Sequence, residues 1–266
     1  MKKNKFLLNK YTLSAIILLL CLALDIFLHK GITRVLLPDS FTNKRIPQNF
    51  VPCDLPLQLN SKEWIKAVNT LSRIEKIPSE TAGIEMDVYF DTIKNTFQVY
   101  HDSAFKTELD INSLMEVYKK RNLKASIWLD FKNLSASNEG QSLQYLSTLS
   151  KQYNLQNKLI IESSSPQYLQ SFCDSGFFTS YYIRFFNPYR IDEKELITQL
   201  DTISGVLKKY KVSALSGYYF QYPVLKKYFP NYPILTWTDN STISLVSKSF
   251  NKILMSDEHV KVLLHP

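Results

Sequence analysis

The chain has 266 residues, of which 45% are apolar and 21% charged, with only 6 Gly and 3 Cys. That composition excludes a collagen-like, low-complexity or disordered chain, and Cys21, Cys53 and Cys173 are too few and too far apart for a disulfide framework or a zinc finger. The net charge of +8 does not mark a nucleic-acid binder: residues 1–50 carry +6 of it and the remaining 216 residues +2, which leaves the folded part without a basic face for phosphate.

Residues 1–10 form a basic N-terminus with Lys2, Lys3, Lys5 and Lys10 and no acid. The next 18 residues, 11–28, are apolar apart from Asp25. This pattern predicts a transmembrane or signal-anchor helix. Lysines ahead of it place the N-terminus in the cytoplasm and the rest of the chain beyond the cytoplasmic membrane, periplasmic or extracellular. The protein would be secreted if the leader is cut. Cys21-Leu22-Ala23 is a poor cleavage site, and Leu20 before Cys21 does not suit a lipoprotein signal, so an uncleaved anchor is favoured. Residues 29–52, with Pro38, Pro47 and Pro52, read as a tether. The folded domain then covers 53–266. An oxidising compartment permits a Cys53–Cys173 bridge, provided that their Cα atoms come close enough.

From residue 55 onward, short β-rich runs alternate with helical stretches. Strands are predicted over 55–59, 83–90, 126–131, 158–162, 180–184, 212–217, 234–237 and 252–256, with 96–100 as an excursion after the second. Asn60 with Glu63 signals a helix start, and Trp64, Ile65, Val68, Leu71 and Ile74 make an apolar stripe behind it. Ser113 and Glu116 repeat the capping signal. Ser165 and Pro166 open a helix that Gly176 ends, and Leu196, Leu200, Ile203, Leu207 and Tyr210 line a long one. Eight β/α alternations predict a (β/α)8 TIM-type barrel of near-minimal length, with a doubly wound open sheet as the alternative. No Gly-rich phosphate loop follows any strand, which removes the main support for a nucleotide-binding sheet.

In a barrel, active sites sit at the C-terminal ends of the strands. Glu85 and Asp87 are two apart on the second strand and share one face, with Ile84, Met86 and Val88 on the other. Two inward carboxylates repel and are costly to bury, and a divalent cation, Mg²⁺ or Ca²⁺, relieves both problems. Asp130 and Lys132 share a face at the end of the third strand, as a further acid and an ammonium for an anionic oxygen. Glu162 ends the fourth strand. His101 is the only histidine between residues 30 and 258 and so the one strong candidate for acid/base work. Each of these features has a bland reading as a solvated edge, a satisfied histidine or a simple ion pair.

Gly83-Ile84-Glu85-Met86-Asp87-Val88, followed by Val99-Tyr100-His101-Asp102, resembles the signature of glycerophosphodiester phosphodiesterases and, more broadly, of phospholipase-C-like phosphodiesterase barrels. Trp128-Leu129-Asp130-Phe131-Lys132 is similar to their third strand. Ile160-Ile161-Glu162-Ser163, Ile234-Leu235-Thr236-Trp237 and Met255-Ser256-Asp257 are similar to the fourth, seventh and eighth strand ends. The resemblance implies a metal held by Glu85, Asp87 and Asp130. It also implies His101 as acid/base, Lys132 on the phosphate, and substrate contacts at Glu162 and Trp237. A first histidine before Arg-Gly belongs at the end of strand one in that family; Pro56-Leu57-Gln58-Leu59-Asn60-Ser61 has neither. Asn60-Ser61-Lys62 is closer to the menorin-type branch, which also keeps the histidine. The reading is therefore an anchored, metal-dependent phosphodiesterase cleaving a glycerophosphodiester, a lysophospholipid or an envelope phosphodiester. The alternative is a non-catalytic barrel that binds a phosphorylated lipid or glycan.

Overall fold

The computed structural model describes residues 10–36, 41–47, 49–102, 104, 106–238 and 243–266. The basic stretch 1–10 falls outside them except for Lys10, which begins the first helix.

Nine strands are described: β1 (Glu63–Ile65), β2 (Gly83–Asp91), β3 (Thr96–Val99), β4 (Ser126–Phe131), β5 (Leu159–Ser163), β6 (Phe178–Tyr182), β7 (Ala214–Tyr218), β8 (Ile234–Trp237) and β9 (Val260–His265). All but β3 are parallel, in the order β1-β9-β8-β7-β6-β5-β4-β2, and β1 pairs with β2 to close the ring. Closure at that seam excludes the open doubly wound sheet. The antiparallel β3 folds back on the outer half of β2, as the excursion was predicted to do. Nine helices are described: α1 (Lys10–Leu28), α2 (Lys30–Leu36), α3 (Leu71–Ile74), α4 (Ile111–Lys120), α5 (Glu139–Gln152), α6 (Pro166–Asp174), α7 (Glu193–Lys209), α8 (Tyr222–Tyr228) and α9 (Leu245–Ser256).

The alternation of side chains along the strands builds two cores. Ile84, Met86, Val88, Ile127, Leu129, Phe131 and Ile161 face outward under the helices. Trp64, Trp128, Ile160, Phe178, Ala214, Leu235, Val262 and Leu264 fill the lumen. Trp64 lies across β2, so a Cβ on Gly83 would fall inside its indole ring. Only glycine fits there.

Two strand predictions were wrong, at the two ends of the ring. Residues 55–59 are extended but not in the sheet. They cross the N-terminal mouth of the barrel, where Gln58 N donates to Asn157 O (2.6 Å) and Ser126 Oγ donates to Gln58 O (2.8 Å). Leu55, Leu57 and Leu59 point up into the lumen core and plug it from below. Their alternation is real, but it serves a plug. The first strand is instead β1, inside the predicted helical stripe. A three-residue strand is too short to show a period of two, and Trp64, Ile65 and Val68 mimic a helical one. Residues 252–256 belong to α9, whose buried Phe250 and Leu254 are spaced four apart; the last barrel strand is β9. The helix cap predicted at Ser113 also moves: Asp110 caps α4 by accepting from Ser113 N at 2.9 Å.

Cys53 and Cys173 form a disulfide across 120 residues, with a Cα separation of 6.7 Å. It fastens the start of the plug to α6. Ahead of it, the described parts of the 29–52 stretch lie against the barrel. Ile32, Val35, Ile46 and Phe50 are buried, and Thr42 exchanges hydrogen bonds with the Tyr228 hydroxyl. The apolar helix α1 is exposed along its length, with mean hydropathy 2.4 over Tyr11–Leu28.

Candidate active site

A cavity of about 390 Å³ opens at the C-terminal ends of the strands. All seven residues nominated from sequence line it: Glu85, Asp87, His101, Asp130, Lys132, Glu162 and Trp237. Parallel pairing makes this convergence. Asp87 is level with Asp130, and Asp130 with Glu162, so three neighbouring strands deliver carboxylates at one height in the lumen. Ligand oxygens of Glu85, Asp87 and Asp130 lie within 4.8 Å of one another.

Backbone and side chains from the β1 loop hold these acids in place. Ala67 N donates to Glu85 Oε2 (2.6 Å), from a residue held at φ +56°. A non-glycine in that region stores roughly 1–3 kcal/mol, a cost that surrounding contacts must offset. Asn69 clamps Asp87 twice: its Nδ2 donates to Asp87 Oδ2 (2.6 Å) and its Oδ1 accepts from Asp87 N (2.9 Å). Lys132 Nζ bridges Asp87 Oδ1 at 2.8 Å and Asp130 Oδ2. His101 is exposed at the mouth, beyond the stacked pair Tyr89 and Tyr100. Trp237 forms the opposite wall with Tyr182 and Tyr218, and Trp128 lies beneath.

Charge in the cavity is unbalanced. Burial first, and then the neighbouring charge of Asp87, push the Glu85 carboxyl up to about 8. Asp130 is raised by burial and by Asp87, against the opposing pull of Lys132. Glu162 is raised well above its ordinary value by burial and by Asp130, and its Oε2 has no hydrogen-bond partner among the described residues. Burial alone would lower the Lys132 ammonium, but Asp130 and Asp87 outweigh it and hold the group charged. Two lysines, Lys66 and Lys132, thus line a cavity with four carboxyl groups. An all-oxygen donor set with surplus negative charge fits a hard divalent cation.

No protein-family model matches the chain, and no curated protein matches it as a relative. Solved structures do. A protein from Silicibacter pomeroyi assigned as a glycerophosphoryl diester phosphodiesterase has a TM-score of 0.52 at 10% identity, over 79% of this chain and 91% of its own. Another, from Galdieria sulphuraria and assigned as a glycerophosphodiester phosphodiesterase, has 0.51 at 12% identity, over 77% and 93%. The fold is that of the glycerophosphodiester phosphodiesterase barrels. An Oleispira antarctica phosphodiesterase, solved with its product sn-glycerol-3-phosphate, is similar at a TM-score of 0.47 and 14% identity, over 79% and 92%.

In this fold the departure at strand one takes a new position, and the match at the eighth strand end does not hold. The end of the first barrel strand is Ile65-Lys66-Ala67, not Pro56–Ser61, and Lys66 lines the cavity. A lysine, rather than nothing, stands where the resemblance implies a histidine. Met255-Ser256-Asp257 ends α9 at the opposite mouth of the barrel, where Asp257 binds Tyr222, Lys226 and His259 and takes no part in the cavity. Sequence reading missed Lys66, Ala67 and Asn69 because it placed them in a helix. The carboxylates at Glu85 and Asp87 carried the one available signal, since two buried acids require donors nearby.

Proposed function

We propose that this protein is a metal-dependent phosphodiesterase, held at a membrane by α1 with its barrel on the non-cytoplasmic side. The convergence of Glu85, Asp87 and Asp130 beside Lys132, in the C-terminal mouth of a phosphodiesterase-type barrel, carries this reading. Glu85, Asp87 and Asp130 would hold Mg²⁺ or Ca²⁺, which when bound draws electron density from a phosphoryl oxygen. Asn69 and the Ala67 N–H orient two of these ligands. Lys132 and Lys66 line the cavity and offer ammonium groups to the non-bridging oxygens as charge builds on them. His101 exchanges a proton at the mouth. It takes one from the attacking hydroxyl, of water or of the substrate itself, or gives one to the departing alkoxide. A P–O bond forms, and the P–O bond to the leaving alcohol breaks. Glu162 and Trp237 shape the floor and wall for the rest of the substrate. That substrate is a glycerophosphodiester, a lysophospholipid or an envelope phosphodiester. The Cys53–Cys173 disulfide supports a site of action in an oxidising compartment.

A second reading rests on Lys66. With lysine at the end of β1, the barrel holds one imidazole at the cavity instead of two, which favours a protein that binds a phosphorylated lipid or glycan and turns nothing over. Assay of the full-length chain in nanodiscs separates the two. Glycerophosphodiesters and lysophospholipids are offered with Mg²⁺, with Ca²⁺ and with chelator, beside His101→Ala and Glu85→Ala. Metal-dependent turnover that falls about 10²–10⁴-fold in His101→Ala is the result expected of the enzyme. No turnover, with cation-dependent thermal stabilisation lost in Glu85→Ala, makes it a binding barrel. Neither turnover nor stabilisation refutes both.

A further inference from the structure

The apolar helix and the cavity meet at the same end of the barrel. Asp25 lies one turn inside the end of the apolar run 11–28, and its Oδ2 accepts from the backbone N–H groups of Leu245 (2.9 Å) and Val246 (3.1 Å). These are the first two residues of α9, which follows β8, so its N-terminus stands at the C-terminal end of the strands. Two N–H donors and the positive end of α9 offset the cost of a carboxylate so near the apolar zone. Asp25 also pairs with His29 Nδ1 at 3.0 Å. From Asp25 to Leu28 is about 4.5 Å along a helix axis. With 11–28 seated in a bilayer, this contact therefore brings the rim of the barrel to the headgroup layer.

The rim is built for that layer. Ile93 is 96% exposed in the turn between β2 and β3, Ile243 88% exposed before α9, and Phe185 56% exposed after β6. Leu71 and Leu245, also exposed, sit on the same end. Outside α1, the other exposed large apolar side chains among the described residues are Val51 and Ile253. Large apolar groups gathered on one end of a soluble domain mark an interaction surface. From that rim an aromatic track leads inward. Phe185 meets Tyr218 edge-on (5.1 Å between centroids), and Tyr218 meets Trp237 (4.9 Å), which forms the cavity wall.

We propose that the mouth of the barrel lies on the surface of the membrane that α1 enters, and that its substrate is a membrane lipid phosphodiester. The lipid enters from the bilayer, with its chain along Phe185, Tyr218 and Trp237 and its phosphate among Lys66, Lys132 and the carboxylates. This rests on the anchored-phosphodiesterase reading and adds the orientation of the barrel and the class of substrate.

The test uses the full-length chain with Cys21→Ser, reconstituted into vesicles of phosphatidylethanolamine and phosphatidylglycerol. An environment-sensitive fluorophore is placed at Ile93→Cys, at Ile243→Cys and, as the control at the far end of the barrel, at Val51→Cys. The emission at 93 and 243 is expected to shift to the blue and to be lost to spin-labelled lipid, while that at 51 does neither. Vesicle flotation of the same samples reports the anchor independently. Protein that floats with all three probes equally in water overturns the orientation and leaves the anchor standing. Protein that does not float overturns the anchor and the orientation with it.

Discussion

At the proposed metal site, Glu85 would make cation binding a proton exchange. Its carboxyl is held up to about 8 in the cation-free fold by burial and by Asp87, against an ordinary value of 4.5. Between those values the folded chain keeps a proton that the unfolded chain has released. Stability of the cation-free fold therefore falls as pH rises from about 5 to about 8. A cation at Glu85, Asp87 and Asp130 must expel that proton. One proton displaced per cation makes affinity rise about tenfold per pH unit well below that value and level off near it, so binding should be about 50-fold tighter at pH 8 than at pH 6. Calorimetric titration with Mg²⁺ or Ca²⁺, in buffers of different ionisation enthalpy, counts the protons directly. Glu85→Gln should remove the pH slope as well as weaken binding. Cation binding of constant affinity between pH 6 and pH 8, with no proton released, would refute the reasoning.

The disulfide closes a loop of 120 residues, and loop-closure entropy puts its contribution near 5 kcal/mol. Reduction, or Cys53→Ser with Cys173→Ser, should lower the Tm by roughly 10–20 °C in a thermal scan, and a shift of under about 2 °C with both thiols free would contradict this. Gly83→Ala drives a methyl into the Trp64 ring, and chemical denaturation should show a loss of at least about 1–3 kcal/mol, with the Trp emission changed. At the other mouth of the barrel, burial would raise Asp257, but hydrogen bonds from Lys226, Tyr222 and His259 outweigh it and hold the carboxyl well below the usual range. That stability is present above the unfolded value of 3.8 and is lost as pH falls below it, so Asp257→Asn should cost about 1–3 kcal/mol at pH 7 and flatten the acid limb of a stability profile.

Most of the barrel was legible as a string of elements. Six of the eight barrel strands coincide with predicted runs, because a strand buried on both faces must be short, apolar and β-branched or aromatic, and because Gly, Pro and capping residues punctuate it. The pairing of Glu85 with Asp87 on one face follows from the strand period alone. So does the sharing of a face by Asp130 and Lys132. The apolar run 11–28 is equally plain, being a matter of composition over one segment.

What sequence could not decide depends on which neighbours a segment finds. The 55–59 run has the pattern of a strand, and a plug beneath the lumen needs the same alternation; only the closed ring, with β1 already between β9 and β2, leaves it no edge to join. Ala67 and Asn69 acquire their meaning from carboxylates 18 residues onward that the chain brings back beside them. Register across β2, β4 and β5, not spacing within any one of them, sets three acids at one height. And the contact of Asp25 with α9, over 220 residues of chain, sets the cavity at the end of the barrel where the apolar helix arrives. Local periodicity names the elements and their faces, whereas long-range packing chooses which faces meet.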